Sequence, residues 1–312
     1  MPISLRKRPS AAVGLDIDGA FLAAAMVQDA QLGRLVSTDL PAGIAVEGEV
    51  SDPDQLSAAL KEFFRRHDLP RSVRLGVANQ QIVVRQLELP LIENAADRAA
   101  AVRFQAAEAI AMPLDEAILD FQSLGTTGDE KDGVREQLVV VAARQAMVER
   151  LIEAVRGAGL KPIGIDLNAF ALVRVLGAGI GGGDAEDSAR VICHLGGVTN
   201  LAIAVGSSCV FTRPLRAVWN PDDEHTVTML AEEIRLSIDF HMAQPAACAV
   251  TSIVLSGPRA ADERLAQELG ARAGLEVTVA DPLGTLGEHT VASGDDAYRY
   301  TVAAGLAIGA SA

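Results

Sequence analysis

Asp16, Asp18 and Gly19 stand in the turn of an apolar hairpin over residues 12–28, whose centre reads Gly14-Leu15-Asp16-Ile17-Asp18-Gly19. A second such hairpin, residues 191–205, centres on His194-Leu195-Gly196-Gly197, with Thr199 just beyond. Each is an apolar, β-rich run, a turn of small residues, then another apolar run. Glycine in such a turn lets the backbone approach a phosphate closely, where a side chain would block it. Either hairpin alone is what ordinary strand pairing also requires. The pair, one in each half of the chain, points to a phosphate cleft between two related units. No nucleophile or metal constellation competes with it. Ser256 is not framed by G-x-S-x-G, and Gly181-Gly182-Gly183 is followed by no Lys-Ser/Thr pair. His67, His194, His225, His241 and His289 show no metal-ligand spacing.

The elements that must carry these turns follow from periodicity and punctuation. After the first hairpin come a strand at 35–40 and a helix opened by Ser51-Asp52-Pro53-Asp54, with Leu56, Leu60, Phe63 and Phe64 on one face. β-like runs at 73–78 and 82–89 follow. Composition shifts at Pro90. A helix at 93–112, strands at 117–124 and 134–143, a helix at 145–157 and a strand at 160–165 read as an inserted α+β unit. A helix at 167–176 leads into a glycine-rich connector. The second half repeats the first: strands at 191–194, 200–205 and 209–214, a helix at 226–242, a strand at 252–255, the turn Ser256-Gly257-Pro258, a helix at 262–273, a strand at 275–279 and a final helix at 297–308. Placing Asp16 over His194 aligns the second and third strands of both halves. The expected division is 10–90 plus 164–178 for the first unit, 91–163 for the insert, 177–189 for the connector and 190–312 for the second unit.

The chain has 312 residues, enough for two cores, and a net charge of −14 from 27 basic and 41 acidic side chains. That balance excludes a dedicated nucleic-acid binder, which needs a basic face. The longest apolar runs, such as 20–27 and 138–143, fall far short of the roughly 20 residues of a membrane span. Leu5-Arg6-Lys7-Arg8-Pro9 is basic but precedes no long apolar segment, so a solvated tail is expected rather than a signal peptide. Cys193, Cys209 and Cys248 form no CxxC pair and sit in apolar company, as reduced cytosolic thiols do.

Duplicated strand-strand-strand-helix halves with two glycine turns have the layout of the actin/Hsp70-like ATPases. The insert narrows the likeness. Phe104-Gln105-Ala106-Ala107-Glu108-Ala109-Ile110, the following Pro113-Leu114-Asp115-Glu116-Ala117-Ile118-Leu119-Asp120-Phe121, and Leu138-Val139-Val140-Val141-Ala142-Ala143-Arg144 resemble the PilM family of type IV pilus assembly. Ala169-Phe170-Ala171-Leu172 and Ala231-Glu232-Glu233-Ile234-Arg235 continue the likeness in the same order. It runs from about residue 12 to the C-terminus and is most specific over 104–176.

The resemblance implies a two-domain α/β fold, actin-like (ribonuclease H-like, duplicated), with an FtsA-like 1C-type insert. It implies ATP and Mg in the cleft, with Asp16 at the metal-holding acid. Asp18, Gly19, Gly196, Gly197 and Thr199 fall at the phosphate turns, Glu232 and Arg235 on the adenosine-contacting helix, and Gly257 at the adenosine turn. It also implies a partner: the N-terminal cytoplasmic tail of a PilN-like bitopic membrane protein, packed near Arg85, Leu87, Leu89 and Phe104. The protein is then expected in the cytoplasm, peripheral to the inner membrane through that partner.

The turns depart from the family pattern. Asp18 replaces a glycine and puts a second negative charge beside a polyanion. His194 stands where the second turn usually has an acid, and a neutral imidazole is a poor ligand for Mg²⁺. Pro258 replaces the second glycine of the adenosine turn and removes a backbone donor. The first expectation is therefore a scaffold with a degenerate cleft, at most a weak ATPase. The alternatives are an ATP-binding switch in the same machine and a sugar-kinase-like enzyme of the same superfamily; the insert argues against the latter.

Overall fold

The computed structural model describes residues 12–28, 31–128, 133–177, 188–244, 247–280, 290–291 and 297–311. The basic N-terminal cluster, most of the 177–189 connector and nearly all of the loop before the last helix lie outside them. β1 (Val13–Ile17), β2 (Phe21–Gln28) and β3 (Gln31–Asp39) form an antiparallel meander with Asp16 opposite Ala23. A small hairpin, β4 (Ala45–Val46) and β5 (Glu49–Val50), precedes α1 (Pro53–Arg66). Asp52 caps that helix, accepting the Gln55 amide at 2.9 Å, and proline occupies its first turn, where no N–H is needed. β6 (Ser72–Val77) then pairs parallel with β1.

The chain next leaves this sheet. β7 (Ile82–Pro90), α2 (Ala95–Ala109), β8 (Ala117–Thr127) and β9 (Arg135–Arg144) make a separate sheet of order β7-β9-β8 with α2 packed on it. The insert is thus 82–144 rather than 91–163. The 82–89 strand runs its whole length against β9, from Ile82 opposite Ala143 to Pro90 opposite Arg135. α3 (Gln145–Gly157) returns to the first unit, burying Leu151, Ala154 and Val155 with α1. β10 (Lys161–Leu167) pairs parallel with β6 and leads to α4 (Asn168–Leu176).

β11 (Ser188–Leu195), β12 (Thr199–Val205) and β13 (Ser208–Pro214) repeat the meander. After α5 (His225–Met242), β14 (Ala249–Ser256) pairs parallel with β11. α6 (Glu263–Ala273) and β15 (Glu276–Val279) complete a sheet of order β13-β12-β11-β14-β15. β16 (Thr290–Val291) crosses back to pair with β3, giving the first sheet the order β10-β6-β1-β2-β3-β16. A 3₁₀ turn (Ala297–Tyr300) then opens α7 (Thr301–Ser311). The second unit therefore ends before 290, and the last helix is shared.

α4 and α7 fill the space between the two sheets. One core joins Phe21, Ala23 and Leu35 of the first sheet, Ile192, Ala202 and Val254 of the second, and the buried faces of both helices. A second core lies under α1 and α3, and a third under α5 and α6. Small residues set the spacing of the central layer. A Cβ on Gly14 would lie 2.1 Å from the Ala303 carbonyl oxygen, and one on Gly305 would lie 2.1 Å from that of Ala171. An ion triad around the buried Asp166 ties one end of it. Asp166 pairs with Arg74 at 3.2 Å and Arg174 at 2.9 Å, and these guanidinium groups donate to the Gly309 and Gly305 carbonyls of α7, each at 2.8 Å.

Candidate functional site

The duplicated meanders bring their first turns face to face. In the first, the Asp18 amide donates to the Phe21 carbonyl at 3.1 Å, and Gly19 takes φ +106°, a conformation glycine adopts without strain. In the second, β11 ends at Leu195 and Gly196-Gly197 turns the chain into β12. The two turns touch. Asp18 Oδ2 accepts the Gly197 amide at 2.6 Å. A Cβ on Gly197 would meet the Asp18 backbone oxygen at 2.0 Å, and one on Gly196 would meet Asp18 Oδ2 at 2.5 Å. Glycine is required here by the opposite turn of the same chain.

The third turn closes on the second. Gly257, at φ +92°, leaves no room for a side chain against the Leu195 backbone, 2.8 Å from its would-be Cβ. Arg259 reaches from this turn to donate to the Gly196 carbonyl at 2.8 Å. Pro258 therefore sits in a turn already committed to protein contacts.

Behind the turns lies a cavity of about 40 Å³ lined by Asp16, Asp18, Asn168, His194, Gly76 and Val198 among others. That volume holds roughly two or three waters. In the second turn the Gly197 amide is already bonded to Asp18. Asp16 is 2% exposed, and its Oδ1 has no hydrogen-bond partner among the described residues. Burial, and then the charge of Asp18, raise its pKa well above the usual carboxylate range; Asn168 and the Ile17 amide oppose this. Asp18 is also raised by burial, against the Gly197 and Ala20 amides and the positive charges of Arg259 and Arg299. His194 is 4% exposed, and burial lowers its pKa to about 4, so it is neutral at pH 7. Its Nδ1 lies 3.3 Å from Ser256 Oγ, which bonds Thr301 Oγ1 at 3.2 Å. His194 is thus held by a buried polar chain to α7. Asp16 shares the cavity lining with the oxygen-bearing side chains of Asp18, Glu49 and Asn168, and the second turn contributes His194 rather than an acid. Among the described residues no cluster of His, Cys, Asp and Glu has the geometry of a metal site.

The remaining expected residues scatter. Thr199 is buried, and its hydroxyl has no hydrogen-bond partner among the described residues. Glu232 and Arg235 lie on the exposed face of α5 and do not line the cavity; Arg235 pairs loosely with Asp239 at 3.9 Å. Their neighbour Glu233 turns inward instead and accepts the Arg216 amide at 2.9 Å. Of the expected partner contacts, Arg85 is exposed and Leu87 half-buried, but Leu89 is only 4% exposed in the insert's core. Phe104, 70% exposed, stands on α2.

Arg85, expected at a partner groove between the first sheet and the insert, borders a groove of about 640 Å³ whose other wall comes from β13 and α5. Val83 and Val84 of β7 form one wall, and Phe211, Leu236 and Phe240 of β13 and α5 form the other. β7 and β13 are edge strands of different sheets, bridged where Gln86 donates to the Val210 carbonyl at 2.9 Å. The available signal was Leu236 and Phe240, an i, i+4 apolar pair outside the buried stripe of α5.

Comparison with known proteins bears on this geometry. The family described as type IV pilus assembly protein PilM matches residues 15–216. The solved PilM-PilN type IV pilus biogenesis complex superposes with a TM-score of 0.83 at 23% identity, covering 98% of this chain and 100% of that one. A Bacteroides thetaiotaomicron protein with actin-like ATPase fold and unknown function gives 0.50 at 11% identity, covering 90% and 95%. MreB5 of Spiroplasma citri bound to ADP gives 0.52 at 11%, covering 96% and 95%. At these identities the likenesses establish the fold, a two-domain actin-like α/β fold. No curated protein sequence matches the chain.

Proposed function

The chain belongs to the PilM family of type IV pilus assembly proteins, and from that premise we propose that it works in pilus assembly as a scaffold whose nucleotide cleft is degenerate. The observation that carries the second part is the Asp18 carboxylate on the Gly197 amide, 2.6 Å apart, where a phosphate would have to bind. The partner in this reading is the N-terminal tail of a PilN-like bitopic membrane protein, a choice supported by the likeness to a complex that contains PilN. The tail lies along the edge strand β7, with Arg85 and Leu87 as contacts and the exposed Phe104 as a further anchor; the buried Leu89 supports the strand from behind. Through this tail the protein sits on the cytoplasmic side of the inner membrane. No helix among the described residues is long and apolar enough to cross one.

One observation favours the ATP-binding switch as a second reading: Asp16 keeps a buried, unpartnered oxygen of the kind a bound cation would satisfy. Titration calorimetry with Mg-ATP, alone and with the tail peptide present, separates the two. The scaffold reading expects no heat from millimolar Mg-ATP and clear binding of the peptide, weakened at least tenfold by Arg85→Glu. Mg-ATP binding at micromolar affinity selects the switch. A peptide affinity unmoved by both Arg85→Glu and Phe104→Ala removes the placement on β7.

A further inference from the structure

We propose that Asp18 is a built-in anionic ligand of the second glycine turn and latches the two halves of the molecule together in the position a phosphate would take. The inference rests on reading the cleft as degenerate, and it adds what fills the cleft and what that filling does.

Several independent contacts support it. The Asp18–Gly197 bond, at 2.6 Å, is the shortest Asp18 makes, and it reaches a residue 179 positions away in the other unit. Within its own turn the same carboxylate has only a 3.5 Å contact with the Ala20 amide. A turn-capping aspartate would show the reverse. The surroundings have the chemistry that recognises a phosphate oxygen: a glycine amide with no side chain in the way and positive charge from two arginines. Arg259 donates to Gly196 at 2.8 Å and so joins the third turn to the second. Arg299 bonds Asp39 at 2.7 Å and lies 5.0 Å over the Phe21 ring, beside the first turn. Both act on the Asp18 charge. The fit is also steric. Any side chain on Gly196 or Gly197 would collide with Asp18, so the second turn is shaped to admit this residue. A ligand that comes with the chain has no dissociation into solvent, and its effective concentration far exceeds that of a free anion.

Two consequences distinguish a latch from a passive contact. Releasing it should loosen the pairing of the two turns, and it should expose a vacant anion site at Gly196-Gly197. The test uses the full chain and two variants: Asp18→Asn, which keeps the shape and removes the charge, and Asp18→Gly, which removes the side chain. Amide hydrogen exchange is followed at residues 195–199, and calorimetry is run with pyrophosphate and with Mg-ADP as probes. The parent should exchange slowly at the turn and bind neither probe at millimolar concentration. Asp18→Gly should exchange at least tenfold faster there and gain binding of pyrophosphate, with Asp18→Asn intermediate and thermal melting confirming that both variants fold. Unchanged exchange in both variants overturns the latch, as does faster exchange with no anion gained by Asp18→Gly. Binding of Mg-ADP by the parent removes the degenerate-cleft reading instead. In that case the exchange of ligand-free Asp18→Asn still decides the latch by itself, because the comparison needs no nucleotide.

Discussion

His194 and Asp16 share one buried cavity and titrate in opposite senses. The folded-state pKa of His194, about 4, lies below its ordinary 6.5, so the fold favours the neutral ring. Its contribution is fully present above about pH 6.5 and is lost as pH falls toward 4, amounting to about 3 kcal/mol in full. Asp16 is raised, so keeping its carboxylate ionised in the folded state costs stability. That cost is absent below the ordinary carboxylate pKa and grows as pH rises through the folded-state value. Urea unfolding across pH 4 to 7.5 should therefore show a flatter acid limb for His194→Gln than for the parent. Asp16→Asn should be more stable than the parent at pH 7, with the gain shrinking as the solution is acidified. An acid limb equally steep in His194→Gln would mean that other groups drive acid unfolding. The sequence placed both residues at the turns, but the sign of each effect comes from burial.

At the level of elements, hydrophobic periodicity located most helices and strands within a few residues, because each buries one face against a neighbour. It assigned two of them to the wrong neighbour. The run Ile82–Pro90 has a strand's alternation whichever sheet it joins, and only its register against β9 puts it in the insert. The small-residue helix Thr301–Ser311 follows the second unit in sequence yet lies between both sheets. Its glycines report that placement. Gly14→Ala and Gly305→Ala each drive a methyl group into a backbone carbonyl 2.1 Å away and should each cost about 3 kcal/mol. Gly33→Ala, whose nearest neighbour is the Met26 oxygen at 3.7 Å, should change stability by less than about 0.5 kcal/mol. Equal urea midpoints for all three would show that the central layer is not tightly packed. The α5 charges show the same limit: spacing pointed to Glu232, while the helix's actual rotation turns Glu233 inward to Arg216.

For the molecule as a whole, the two units are joined by a shared helical layer and by contacts at the cleft. The Arg74–Asp166–Arg174 triad fixes one end of that layer. Asp166 has a side chain 6% exposed, so Asp166→Asn leaves two guanidinium groups facing each other without their anion. It should cost about 3 kcal/mol. The solvated pair Arg65–Glu62, by contrast, should be worth little when broken by Glu62→Gln. Thermal melting of the two variants checks the contrast; a loss for Glu62→Gln as large as for Asp166→Asn would overturn it. By itself the sequence determined the class, the duplication, the presence of an insert and the family, because these follow from local periodicity, turn residues and motif order along the chain. Tertiary structure decided which sheet each ambiguous strand joined, that the last helix belongs to both halves, and that Asp18 lies on Gly197. Those are contacts between residues far apart in the chain, 179 positions for Asp18 and Gly197 and 235 for Arg74 and Gly309 of the last helix, set by packing geometry that no local pattern of residue types encodes.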